Sequence, residues 1–246
     1  MSLIDYHKVN IYHQDGDNVL ENVDFKVNEG EFIYIIGKVG SGKSSLLRSI
    51  YAELDIEEAE NAVVLGRDML KLKRKETPAL RRELGIIFQN FLLLTDRSVC
   101  QNLEFVLKAT GWKKENIEKR IDEVLESVGM TEAKHKMPYQ LSGGEQQRIA
   151  IARSILNNPK VILADEPTGN LDTKTTDDVM RLMVSMCRKH NLTLILVTHD
   201  LEIAEYADRI VHIIDGSIVS IEDNREKQVP VLTDSEADRK EEIAAE

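Results

Sequence analysis

The chain has 246 residues, 42% of them hydrophobic, and a formal net charge of −11. That length suits one large α/β domain with a small insert, and the acidic balance, without a basic stripe, argues against nucleic acid as the main partner. Two isolated cysteines, Cys100 and Cys187, offer neither a disulfide framework nor a zinc pattern, as expected of a reduced cytoplasmic protein. The first five residues have no basic stretch followed by an apolar one, so no signal peptide is expected. Unbroken apolar runs stop at about four to five residues, where a spanning helix needs about 20. Any membrane role is therefore expected to work through a partner.

Residues 4–11, 19–27 and 30–36 read as strands separated by turns. Phe32-Ile33-Tyr34-Ile35-Ile36 is short, apolar and β-branched, the pattern of a buried parallel strand. Helical spacing follows over 43–52. In the turn before Val63, Asn61 is the residue suited to a left-handed conformation. Residues 85–88 read as another strand. From 99 to 158 the pattern is helical, with Ile117, Ile121, Val124, Leu125 and Val128 on one face and Gly129 as C-cap. Short β-like runs at 161–164, 194–197 and 210–214 follow, with a helix over 175–190 between them. Strand alternating with helix argues for a parallel sheet, and the long helical block for an inserted subdomain. The expected organisation is one domain over 1–224, with the helical subdomain at about 90–158. Residues 225–246 are expected to form a solvated acidic extension.

Gly37-Lys38-Val39-Gly40-Ser41-Gly42-Lys43-Ser44 fits G-x-x-x-x-G-K-[ST] and lies between an expected strand and an expected helix. Glycines let the backbone approach phosphate, and the loop N–H groups with the helix N-terminus supply positive potential. Gly37, Gly40, Ser41, Gly42, Lys43, Ser44 and Ser45 are thus expected to bind nucleotide. Lys43 would reach the β- and γ-phosphates, and the Ser44 hydroxyl would ligate Mg²⁺. Val161-Ile162-Leu163-Ala164 ends in Asp165 and Glu166. Charges at the tip of a buried strand are costly unless used. Asp165 suits a Mg²⁺ ligand, acting through water, and Glu166 suits a base that polarises an attacking water. Alone, such a strand end also reads as a helix cap; its distance downstream of the P-loop favours the catalytic reading.

Leu141-Ser142-Gly143-Gly144-Glu145-Gln146-Gln147 is the string that identifies the chain by resemblance. It resembles the ABC ATPases over nearly its whole length, up to about Asn224. The resemblance implies a P-loop NTPase α/β core with a mixed sheet and an inserted α-helical subdomain. It also implies ATP and Mg²⁺ as ligands. Tyr12 matches the aromatic residue that stacks on adenine, and Gln89 the glutamine that contacts Mg²⁺ and couples the site to a membrane partner. Asn170-Leu171-Asp172 matches the D-loop, and His199 the histidine that senses the γ-phosphate. In that family two subunits close head-to-tail around two ATP molecules. Ser142, Gly143 and Gly144 then face the ATP held by the other copy, so a homodimer on ATP binding is expected. DNA-repair ATPases of the superfamily carry a long coiled-coil insert that is absent here, and its translation factors carry two cassettes per chain. A non-hydrolysing scaffold would not need Glu166 and His199.

Within the family, the stretch from Pro78 to Gln89, continuing through Asp96-Arg97-Ser98-Val99 to Asn102, resembles the FtsE branch. That branch implies an FtsX-like integral membrane partner and control of cell-wall hydrolysis during division, from the inner face of the bacterial cell membrane. The string from Ala164 to Asp172 is shared with the LolD and MacB branches of lipoprotein release and efflux, which remain the alternative.

Overall fold

The computed structural model describes residues 1–13, 18–198, 204 and 206–225. All but the first residue of the expected acidic extension therefore lies outside the described residues. The N-terminal part forms an antiparallel sheet. Strand β1 (Ser2–Tyr12) pairs with β2 (Asn18–Asn28), Tyr6 lying opposite Phe25. An extra residue in β1 shifts the register between Tyr6 and Val9, and Lys8 there has φ 47°. This bulge lets Val9 follow Tyr6 into the core three positions on, where strict alternation would have turned it out.

Three short strands, β4 (Ile56–Glu58), β5 (Asn61–Val64) and β6 (Arg67–Asp68), extend this sheet, β4 and β5 both pairing with β1. Asn61 does not take the left-handed conformation expected of it. It opens β5 opposite His7, and its side-chain amide donates to Asp5 O at 3.1 Å. The positive φ falls instead on Leu65 and Gly66, in the turn between β5 and β6.

The second sheet has six strands in the order β11-β10-β3-β9-β8-β7. Strands β3 (Phe32–Ile36), β7 (Leu84–Ile87), β8 (Val161–Asp165), β9 (Thr193–Val197) and β10 (Arg209–Ile214) run parallel. Strand β11 (Ser217–Asp223) closes one edge antiparallel, which makes the sheet mixed. Both faces are covered. Phe32, Tyr34, Ile162, Ala164, Leu194 and Leu196 pack into the core under the helices, whereas Ile33, Ile35, Val161, Leu163, Ile195 and Val197 face the antiparallel sheet. This double burial is the reason the strands read as unbroken apolar runs.

The helical block is not continuous. It comprises α3 (Val99–Ala109), α4 (Lys114–Ser127) and α5 (Gly143–Ile155), with 3-10 turns at Thr131–Ala133 and Pro138–Gln140. The remaining helices are α1 (Lys43–Ile50), α2 (Thr77–Arg82) and α6 (Thr173–Lys189). Ile117, Ile121, Val124 and Leu125 form the buried face of α4. Gly129 ends it at φ 67°, its N–H donating to Glu126 O and the Met130 N–H to Leu125 O, a Schellman arrangement. No helix among the described residues is long and apolar enough to cross a membrane.

Candidate active site

Because β3, β7, β8, β9 and β10 are parallel, their C-terminal ends share one edge of the sheet. Gly37 follows β3, Gln89 lies two residues past β7, Glu166 follows β8, and Thr198 follows β9. Open parallel sheets bind ligands at this edge, where loops and helix N-termini converge.

The loop from Gly37 to Gly42 joins β3 to α1. Gly42 caps the helix at φ 102°, a conformation that L side chains rarely adopt, and a Cβ there would lie 2.7 Å from the Leu20 side chain. A Cβ on Gly37 would lie 2.3 Å from the Ile213 carbonyl oxygen. Lys38, Val39 and Gly40 at the loop tip are exposed, whereas Ser41, Lys43 and Ser45 are buried. The Lys43 ammonium donates to the carbonyls of Gly37 and Lys38 at 2.7 and 2.8 Å, so the side chain lies back along its own loop. Burial holds its pKa below the usual lysine range, against the pull of Glu166 and Asp165.

Ser44 and Asp165 meet directly: Ser44 Oγ donates to Asp165 Oδ1 at 2.8 Å. Burial raises the Asp165 pKa above the ordinary carboxylate range and neighbouring Glu166 adds to it, while the Ser44 hydroxyl works the other way. A hydroxyl and a carboxylate oxygen are hard donors of the kind Mg²⁺ takes. The crowding of Asp165 and Glu166 is a charge excess that a cation would offset. Ser41 Oγ is also buried with no hydrogen-bond partner among the described residues. The residues therefore fit a nucleotide with its divalent ion.

Glu166 has φ 44°. Its N–H continues the ladder to Val197 O at 2.8 Å, and its carbonyl accepts the Gly169 N–H at 3.1 Å. Strained non-glycine backbone is typical of functional sites. The turn that follows reaches Gln89: Asn170 Nδ2 donates to Gln89 O and Asn90 Oδ1, both at 3.0 Å. A Cβ on Gly169 would stand 2.9 Å from the Gln89 amide nitrogen.

None of the Ser142 hydrogen bonds reaches the P-loop, and Gly143 stands beside the Asn170 turn, its Cβ position 4.0 Å from the Asn170 carbonyl oxygen. Ser142 caps α5 in a capping box with Glu145, which is why the helix begins at Gly143, ahead of its first apolar residue, Ile149. Gly144 packs against Thr175 and Gly143 against Leu171, so this helix end sits on the start of α6. Asp172 caps α6, accepting from the Thr175 N–H at 3.1 Å and its hydroxyl at 2.7 Å. Tyr12 ends β1, half-buried. His199 lies outside the described residues. Sequence reasoning missed two side chains that hold the turn after Gln89, Arg153 and Asn102.

The family model for the ABC transporter matches residues 20–169. The chain belongs to the ABC transporter ATPase family. Among ABC ATPases it is similar to the cell division ATP-binding protein FtsE of Streptococcus pneumoniae serotype 2, at 39% identity over 227 residues, covering 92% of this chain and 98% of that protein. It is also similar to the methionine import ATP-binding protein MetN of Helicobacter hepaticus, at 41% identity over 218 residues, covering 88% of this chain and 62% of that protein. A solved relative is the dimeric post-hydrolysis state of the ATP-binding cassette MJ0796 bound to ADP and Pi. It has a TM-score of 0.80 and 33% identity, covering 90% of this chain and 99% of that one. This ABC ATPase binds and hydrolyses ATP as the nucleotide-binding subunit of a transporter-type complex.

Proposed function

We propose that the chain drives conformational change in an FtsX-like membrane protein to regulate cell-wall hydrolysis in cell division. It would act from the cytoplasm, peripheral to the inner face of the bacterial membrane. The observation that carries the ATPase part is the Ser44–Asp165 hydrogen bond beside Glu166 and Lys43. Bound Mg²⁺ would neutralise phosphate charge, with Ser44, Asp165 and Gln89 as the residues that would hold it. Lys43 leaves its loop carbonyls for the phosphates. Glu166 accepts the proton of the attacking water, and Gln89 and His199 orient groups around the γ-phosphate. Tyr12 stacks on adenine. Catalysis of this kind is positioning and charge stabilisation.

The Ser142 hydrogen bonds stay within its own helix end and none reaches the P-loop, which supports closure of a second copy so that each site takes its signature residues from the other subunit. ATP then favours the closed dimer more than ADP does, and hydrolysis releases it. Glu166→Gln is expected to keep ATP binding, lose turnover and accumulate an ATP-bound dimer in sedimentation. Normal phosphate release by that variant would remove Glu166 as the base.

The division role is supported by the stretch from Pro78 to Val99 and by the FtsE relative. The string from Ala164 to Asp172 equally suits a LolD- or MacB-like exporter, and the MetN likeness suits an importer. Affinity purification of the tagged chain from detergent-solubilised membranes separates them. An FtsX-like permease as stoichiometric partner supports the proposal; an export, lipoprotein-release or import permease overturns the division role and leaves the ATPase.

A further inference from the structure

The segment between Gln89 and α3 has no regular structure, yet a buried asparagine and a half-buried arginine grip it. Asn102, 3% exposed, accepts the Leu94 N–H at 2.7 Å and donates to the carbonyls of Leu94, Arg97 and Ser98. Arg153, near the far end of α5, donates to Phe91 O at 2.7 Å and Leu92 O at 2.5 Å. Phe91 and Leu92 both sit in the left-handed region, at φ 43° and 50°. Two consecutive non-glycine residues there are strained, because each Cβ crowds the following carbonyl, and they persist only when neighbours hold them.

The hydrogen bonds of the Arg153 guanidinium go to backbone carbonyls, and burial lowers its pKa. A cation in such a place is a poor way to gain stability, since an apolar side chain of similar size would fill the space without desolvating a charge. What the guanidinium does that an apolar group cannot is bridge two carbonyls with one planar fork. The same helix presents Ser142, Gly143 and Gly144 at its other end. Leu92 and Arg153 also line a cleft of about 310 Å³ with Phe88, Phe105 and Val106, so the gripped turn faces open surface.

We infer that Arg153 is a positioning residue for ATP hydrolysis: it ties the turn after Gln89 to the helix that carries the signature residues. The inference rests on the two-subunit reading above. A displacement of the turn at Phe91 and Leu92 is passed along a rigid helix to the end that faces the other subunit's ATP. In reverse, closure on ATP pulls on the turn beside Gln89.

The test places Arg153→Met and Arg153→Lys in the Glu166→Gln full-length chain and measures ATP-dependent dimerisation by sedimentation. With Arg153→Met the concentration for half-dimerisation is expected to rise about tenfold or more, with ATP binding to the monomer changed less than about twofold. Arg153→Lys, which keeps the charge but not the fork, is expected to fall between. Hydrogen exchange should quicken in residues 89–94 and not along α3 and α4. Unchanged dimerisation overturns the inference. So does loosening spread through α3, α4 and α5 with a matching fall in melting temperature, because that is a structural role. If Glu166→Gln alone does not dimerise on ATP, the two-subunit reading itself fails and the inference falls with it.

Discussion

Ser44 and Asp165 are 121 residues apart in the chain, and their side chains share a 2.8 Å hydrogen bond at the edge of the parallel sheet. The carboxylate is held there at a cost. Burial disfavours its charged form and Glu166 next to it adds repulsion, so its pKa lies above the ordinary value of 3.8. An acid whose folded pKa is raised binds its proton more tightly folded than unfolded, and stability falls as pH rises through the carboxylate range. Asp165→Asn is therefore expected to abolish hydrolysis while making the nucleotide-free protein more stable at pH 7. Allowing for partial solvent screening, about 1 kcal/mol is expected, a rise of about 2–4 °C in melting temperature. The gain should shrink as pH falls through the carboxylate range, where the wild-type carboxyl takes up its proton. Thermal scans across that range check it; a less stable variant at pH 7 contradicts the strain.

Glu145 reaches back to the Ser142 N–H at 2.7 Å and also accepts from the Ser142 hydroxyl at 2.9 Å. The Ser142 N–H, with help from its hydroxyl, lowers the Glu145 pKa below the usual carboxylate range. Glu145→Ala removes half of the capping box and frees the serine to rotate. The expected loss is about 1 kcal/mol of stability, read by urea unfolding. Glu145→Gln, which can still accept those bonds, should recover most of it. An Ala variant as stable as wild type would mean the cap is not used in solution.

The P-loop was legible because its chemistry is local: eight consecutive residues carry the turn, the close backbone approach and the cation. The strand ending in Asp165 and Glu166 was legible from one contrast, apolar residues running into two acids. The antiparallel strands β4, β5 and β6 were not. They are three, four and two residues long, and β4 and β5 are held by pairing to β1 some fifty residues away and β6 by pairing to β5, not by a pattern of their own. Asn61 misled for the same reason, since its side chain is satisfied by the Asp5 carbonyl across that pairing. Arg153 gave no signal because its role depends on the φ angles of two residues 62 and 61 positions upstream.

The two cysteines differ in their surroundings. Cys187 on α6 is buried at 5% exposure, and burial pushes its thiol up to about 12. Cys100 on α3 is half-buried, with a raised pKa that the nearby Lys134 partly offsets. Reactivity follows the thiolate, which neither group supplies readily at neutral pH. Native protein at pH 7.5 is expected to label slowly at Cys100 and not at Cys187, both reacting fully in denaturant. Mass spectrometry of iodoacetamide adducts reads this directly. Native labelling of Cys187 at the rate of Cys100 would show that α6 opens from the sheet.

Gly144 and Thr175 supply the sharpest steric test of the seat between α5 and α6. A Cβ at position 144 would lie 2.4 Å from Thr175 Cγ2, well inside contact distance. Gly144→Ala is therefore expected to destabilise the chain by about 1–3 kcal/mol through overpacking, despite alanine's better helix propensity. Thr175→Ser removes the clashing methyl and keeps the hydroxyl that donates to Asp172 at 2.7 Å. The double variant should recover most of the loss, a coupling that two independent sites would not show. Urea unfolding of the four proteins measures the cycle. Full additivity, with Gly144→Ala equally damaging in the wild-type and the Thr175→Ser backgrounds, would mean that the glycine is required for some reason other than this contact.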